Sequence, residues 1–132
     1  MPDKGMGQDN PIKLLLVDDE AGYVSVLTKR MEKRNIDVIT ATNGMEAIQT
    51  LRSRRFDCAV LDLKMEDMDG IEVLKIFKKM DPEMPVIMLT GYGSETAARE
   101  GVRFGAFAYL AKPCDLHDLI RIIFDACKRE AS

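Results

Sequence analysis

The groups that could do chemistry stand at Asp18-Asp19, Asp62, Thr90 and Lys112. Each comes at or shortly after the end of an apolar run that reads as a buried strand: Ile12–Val17, Cys58–Leu61, Val86–Leu89 and Phe107–Leu110. In a parallel sheet such ends lie side by side, and open α/β sheets bind their ligands there. Two bare carboxylates about 4 Å apart repel by roughly 4 kcal/mol at an effective dielectric near 20. A cluster of three therefore raises a pKa or recruits a cation. Hard oxygen ligands with room for water suit Mg²⁺, which seldom takes an all-protein cage and leaves positions for a phosphoryl oxygen. Beside such a group Lys112 supplies positive charge and Thr90 a hydroxyl donor. The nucleophile would be a carboxylate forming an acyl phosphate. Asp62 suits that role, because the adjacent Asp18-Asp19 pair is built to hold the metal. Phosphoryl transfer asks a protein mainly for positioning and charge neutralisation, so this small catalytic set of Asp62, Thr90 and Lys112 suffices.

The elements that must position these residues alternate along the chain. Ile36–Ala41 is a mixed run that fits an edge strand, and the short Phe107–Leu110 is the other edge candidate. The three remaining runs are nearly continuous in apolar residues, as central strands covered on both faces are. Asn43 with Glu46, and Asp69 with Glu72, have the spacing of an N-cap and the third helical residue. Leu116, Leu119, Ile120, Ile123, Phe124 and Cys127 recur at helical spacing behind an Asp115 cap. Ser94–Phe104 is the weakest helix, since Ala97, Ala98 and Gly101 offer little to bury, which marks it as a moving part. The alternation predicts right-handed crossovers and a (βα)5 doubly wound parallel five-stranded sheet with helices on both faces. Residues 1–11 read as a polar, mobile leader, and 12–130 as one domain.

A length of 132 residues allows a single core without staples, and 46% hydrophobic with 31% charged residues is ordinary for a globular domain. The net charge of -3 gives no bulk attraction to nucleic acid, so no direct nucleic-acid contact is expected. No apolar run approaches the roughly 20 residues of a membrane span, and the N-terminus lacks the apolar stretch of a signal peptide. Membrane insertion is accordingly not expected. Cys58, Cys114 and Cys127 form no CxxC and read as packing residues in a reducing cytoplasm. Arg52, Arg54 and Arg55 read as a solvated helix end, and the single histidine, His117, as a surface residue. Asp67-Met68-Asp69-Gly70 resembles a calcium loop only briefly. An EF-hand alignment would put its first ligand at Met65 and its twelfth at Ile76, which fails.

Four segments, LLLVDDE (14–20), LDLKMEDMDG (61–70), VIMLTG (86–91) and YLAKP (109–113), in this order and spacing, resemble the CheY-like receiver domain of bacterial two-component response regulators. The resemblance runs from about Lys13 to Arg129. It implies the flavodoxin-like strand order 2-1-3-4-5, to which the chemotaxis receiver itself belongs. It implies that Asp62 is the phosphoacceptor, taking its group from a sensor histidine kinase or a histidine phosphotransfer protein. Asp19 would bind Mg²⁺ directly and Asp18 mostly through water, with Asp62 and the Lys64 backbone carbonyl as further ligands. Thr90 and Tyr109 would form the switch pair, and Lys112-Pro113 a cis peptide, which X-Pro bonds allow at modest cost. A downstream output protein or domain would read the face formed by the fourth helix, fifth strand and fifth helix, which could also form a homodimer. Family members commonly carry proline four residues after the phosphoacceptor; here that position is Glu66, so a more mobile, more negative loop is expected. Lys64 and Tyr92 occupy positions that tune the lifetime of the phosphorylated form.

Two other readings use related chemistry or a related fold. A haloacid-dehalogenase-like phosphatase needs DxD on its first strand, a spacing that Asp18-Asp19-Glu20 lacks. A flavodoxin-like cofactor binder needs a phosphate-cradling Ser/Thr/Gly loop after the first strand, and none is evident. The chain is therefore expected to catalyse only its own phosphorylation and dephosphorylation rather than turn over a substrate.

Overall fold

The computed structural model describes residues 10–91 and 95–129. Most of the expected leader, together with Tyr92, Ser94 and the last residue of the expected domain, lies outside the described residues. Ten elements alternate: β1 Ile12–Val17, α1 Ala21–Glu32, β2 Ile36–Ala41, α2 Gly44–Ser53, β3 Cys58–Asp62, α3 Gly70–Met80, β4 Val86–Thr90, α4 Glu95–Arg103, β5 Ala108–Ala111 and α5 Leu116–Ala126. All strand pairs are parallel, in the order β2-β1-β3-β4-β5. The chain winds outward from β1 to β2 and then reverses to β3, so the switch point falls between β1 and β3.

Strand alternation divides the core into two layers. Leu15 and Val17, with Ala59, Leu61, Val86 and Met88, face α2, α3 and α4, where Ile48, Leu51, Leu74 and Phe77 meet them. Leu14 and Leu16, with Val60, Ile87 and Leu89, face α1 and α5 and pack on Leu27, Met31, Leu119, Ile123 and Phe124. Burial of each such side chain stabilises by roughly 1.5–3 kcal/mol. Central strands loaded on both faces explain the unbroken apolar runs and fix the register. Cys58 lies inside the second layer, with Cys114 and Cys127 packed against it.

The helix starts follow the sequence with local variations. Asn43 Oδ1 accepts from Glu46 N at 2.8 Å, as expected, but Glu46 Oε1 reaches back to Thr42 N at 2.6 Å rather than to the cap residue. Asp69 Oδ1 accepts from Ile71 N at 3.0 Å, one residue short of the Glu72 predicted from the spacing. Asp115 caps α5 through His117 N at 2.7 Å, and His117 is exposed. The β5 strand begins at Ala108, so Phe107 stands outside it, half in solvent at 49% exposure. In α4 the small residues have a purpose their size conceals. Ala98 and Gly101 are buried, and a Cβ on Gly101 would run into the end of the Met88 side chain. Small residues here let the helix approach the sheet closely. Among the described residues no helix is long and apolar enough to cross a membrane.

Candidate functional site

The sheet register assembles the candidate residues. Val17 pairs with Leu61, so Asp18 and Asp62 follow as neighbours on adjacent strands; Thr90 pairs with Ala111, so Lys112 comes next. Carboxylate oxygens of Asp18, Asp19 and Asp62 lie within 4.8 Å of one another. Asp18 and Asp62 are buried and Asp19 is exposed. The Lys112 ammonium enters this cluster from the residue just past the end of β5. Its Nζ lies 2.8 Å from Asp18 Oδ2, 2.8 Å from Glu20 Oε1 and 3.5 Å from Asp62 Oδ2. The contact with Asp18 is a charge contact rather than an aligned hydrogen bond. The Tyr23 ring lies 4.7 Å from the same ammonium, and the Tyr23 hydroxyl is 3.7 Å from Cys114 Sγ. The Lys112-Pro113 peptide is cis, as the resemblance implied.

Backbone donors hold the acids in place. Asp18 Oδ1 accepts from Glu20 N at 2.9 Å, and Asp62 Oδ1 from Lys64 N at 3.1 Å. Burial pushes the Asp62 carboxyl above the ordinary aspartate range, against the opposing pull of the Lys64 N–H and the Lys112 ammonium. Burial alone would lower the Lys112 pKa; its contacts with Asp18 and Glu20 outweigh that, the net shift is upward, and the ammonium stays charged. The hydrogen bond from Lys112 holds the Glu20 carboxyl below its usual value. The site is thus an anionic cluster only partly neutralised by one lysine. Its all-oxygen donor set can hold a hard divalent cation.

The cluster opens into a cleft of about 480 Å³ lined by Asp19, Glu20, Asp62, Lys64, Glu66 and Gly91, among others. Glu66 is exposed at its mouth. A larger hollow of about 800 Å³ lies at the opposite end of the sheet, between Lys13, Asp57, Glu83 and Arg129. It lacks the carboxylate cluster, and the chemistry marks the smaller cleft as the site. Thr90 is buried, with its hydroxyl donating to Leu110 O across 3.4 Å. Tyr109 lies on β5 opposite Met88 and is 37% exposed.

Three site-supporting residues carried no assigned role in the sequence. Asp67, dismissed as part of a calcium loop, accepts from Gly44 N at 2.9 Å and Met45 N at 3.0 Å, tying the β3–α3 loop to the start of α2. Those two bonds depress its carboxyl pKa. Gly70 N donates to Leu63 O at 3.2 Å, and a Cβ on Gly70 would stand 2.6 Å from Leu63 Cα. The loop closes on itself only because that Cβ is missing. Glu20, the third acid of LLLVDDE, is the third ion-pair partner of Lys112. A Gly eight residues after Asp62 and a Glu after the aspartate pair were visible signals, but their partners were not.

Comparison with known proteins agrees with this geometry. Residues 14–124 match the family described as the response regulator receiver domain. The transcriptional regulatory protein GlrR of Escherichia coli strain K12 is 37% identical over 121 residues, covering 92% of this chain and 27% of that protein. The chain thus spans about a quarter of that regulator's length. The sporulation initiation phosphotransferase F of Bacillus subtilis strain 168 is 36% identical over 107 residues, covering 81% of this chain and 86% of that one. Among solved structures, the receiver domain of Francisella response regulator 1452 superposes with a TM-score of 0.82 at 32% identity, covering 89% of this chain and 97% of that one. A CheY-like response regulator receiver domain protein from Methanospirillum hungatei JF-1 gives 0.86 at 29% identity, covering 90% and 95%.

Proposed function

The chain belongs to the response regulator receiver family, and from that premise we propose that Asp62 is its phosphoacceptor in a Mg²⁺-dependent switch. The observation that carries this reading is the convergence of Asp18, Asp19, Asp62 and Lys112 in one cluster, of which Asp19, Asp62 and Lys112 line a cleft. An Asp62 carboxylate oxygen attacks phosphorus in line, the bond to the donor's nitrogen or oxygen breaks, and an acyl phosphate forms on Asp62. Asp18, Asp19, Asp62 and the Lys64 carbonyl would hold Mg²⁺, whose charge offsets that of the phosphoryl oxygens. The Lys64 N–H keeps Asp62 oriented, and the Lys112 ammonium pairs with a phosphoryl oxygen. The Thr90 hydroxyl, whose 3.4 Å bond to Leu110 O is long, turns to the phosphoryl group. The space it leaves lets the partly exposed Tyr109 ring move inward, which alters the face formed by α4, β5 and α5.

The donor is a sensor histidine kinase or a histidine phosphotransfer protein, and the reader of the altered face is an output protein or domain. The GlrR relative is a transcriptional regulatory protein and the Bacillus relative a phosphotransferase, so both a transcription-regulating output and a relay fit; we place the chain in the cytoplasm. The same face would serve a homodimer. Charge reversal at Arg99 and Arg103 should weaken partner binding, and unchanged affinity would remove that surface from consideration. Glu66, in place of proline, gives the cleft mouth a looser loop and one more negative charge, and Lys64 and Tyr92 set the lifetime of the acyl phosphate. The chemistry is self-directed phosphorylation and dephosphorylation. The test is intact-mass spectrometry after acetyl phosphate treatment, with and without Mg²⁺, beside Asp62→Asn. A Mg²⁺-dependent, base-labile phosphoryl adduct absent from the variant is expected. Folded wild-type protein that gains no adduct would overturn the reading.

A further inference from the structure

We propose that Glu20 is a displaceable placeholder for a phosphoryl oxygen: it occupies the Lys112 ammonium until the phosphoryl group arrives and then gives way. This rests on the phosphoacceptor reading above and concerns the same site. An ammonium has three N–H donors, and the Lys112 Nζ already has three carboxylate neighbours, Asp18, Glu20 and Asp62. Its one short hydrogen bond goes to Glu20 at 2.8 Å, with Asp62 at 3.5 Å and Asp18 a charge contact only, so an arriving phosphoryl oxygen competes with Glu20 for the best-placed donor.

The structure distinguishes them. The Asp18 side chain is fully buried and tied to Glu20 N, so it cannot withdraw into water. Asp62 is buried, held by Lys64 N, and is itself the reacting group. The Glu20 side chain is 63% exposed and lines the open cleft, so its carboxylate can swing out and recover hydration. Glu20 also occupies the N-cap position of α1 yet makes no side-chain cap bond there. The unsatisfied N–H groups and positive dipole end of α1 therefore give the released carboxylate a second place to rest. The Tyr23 ring, 4.7 Å from the ammonium, remains as a neighbour during the exchange.

A placeholder makes phosphorylation and phosphoryl-mimic binding slower or weaker than they would be without it. An exposed ion pair contributes modestly, so Glu20→Gln should raise the initial rate of adduct formation from acetyl phosphate, and the affinity for beryllofluoride, by roughly two- to fivefold. Glu66→Gln is the control for general charge, since Glu66 lines the same cleft and is absent from the ion pairs of Lys112. A double-mutant cycle with Lys112→Met asks whether the gain acts through the lysine. The expected result is a gain in Glu20→Gln, less in Glu66→Gln, and none from Glu20→Gln on the Lys112→Met background in beryllofluoride binding. Equal gains at Glu20 and Glu66, no gain at Glu20, or a gain that persists without Lys112 would each overturn the placeholder. Wild-type protein that takes neither phosphoryl nor beryllofluoride would instead overturn the phosphoacceptor reading, so the two failures are distinguishable.

Discussion

Replacing Lys112 with methionine keeps the length and apolar stem of the side chain and removes the ammonium that pairs with Asp18, Glu20 and Asp62. At an effective dielectric near 20, two carboxylates at the 4.8 Å limit of this cluster repel by about 3.5 kcal/mol. On the same scale the ammonium attracts Asp18 at 2.8 Å by about 6 kcal/mol and Asp62 at 3.5 Å by about 5 kcal/mol. These gross terms are offset by the cost of desolvating a lysine side chain that is only 15% exposed. Breaking a buried pair from one side typically costs about 3–5 kcal/mol, and a cluster that opens to a cleft belongs below that range. Lys112→Met should therefore lower the unfolding free energy by about 1–3 kcal/mol in urea titrations at pH 7 with EDTA. Mg²⁺ should reverse the order of response. With its ammonium competitor gone, the carboxylate cluster binds the cation more tightly, so added Mg²⁺ stabilises the variant by more than it stabilises wild type. A variant as stable as wild type in EDTA, or an equal Mg²⁺ increment in both proteins, would refute the claim that lysine and metal answer to one set of charges.

Two glycines give a paired prediction. Gly70→Ala forces a Cβ onto the Leu63 backbone, which cannot give, and should cost about 2–3 kcal/mol in denaturant unfolding while slowing Asp62 phosphorylation through the displaced loop. Gly101→Ala meets the end of the Met88 side chain, with Ile71 Cδ1 at 3.4 Å, and gains up to about 1 kcal/mol of helix propensity, so it should change stability by under about 1 kcal/mol; equal costs at both sites would show that the nature of the contacting atom does not decide. Asp67→Ala frees the N-terminus of α2 and should lower the melting temperature at pH 5–8. Because the folded-state pKa of Asp67 lies below its unfolded value near 4, its contribution is complete above that value and fades as pH falls through the folded pKa. Melting curves of the two proteins should therefore converge below about pH 4, and a gap that widens there would contradict the assignment.

What the sequence disclosed and what it withheld differ in physical kind. Apolar runs ending in Asp18, Asp62 and Thr90 were informative because strand order and parallel register convert a position in sequence into a place in space. Once β1 lies beside β3, two aspartates far apart in the chain have no choice but to meet. Asn43 and Asp115 were legible for the opposite reason: each satisfies a donor two or three residues away. Pairings that are neither topological nor local left no trace. Lys112 reaches Glu20 across 92 positions and Asp67 reaches Gly44 across 23, and nothing in the spacing of those residues fixes either contact. The small residues of α4 looked like a deficit of burial, whereas Ala98 and Gly101 are buried because they are small. The segment Asp18-Asp19-Glu20 shows how the kinds combine. Asp18 points inward and is buried, Asp19 points out, and Glu20 turns back over the cleft at the start of α1. Asp18, one residue past the end of β1, still lies beside Asp62 of β3, whereas Asp19 is one residue further along, beyond the sheet. The third orientation depends on a lysine that follows β5, so three consecutive acids that look equivalent as letters differ in exposure and in how readily each can move.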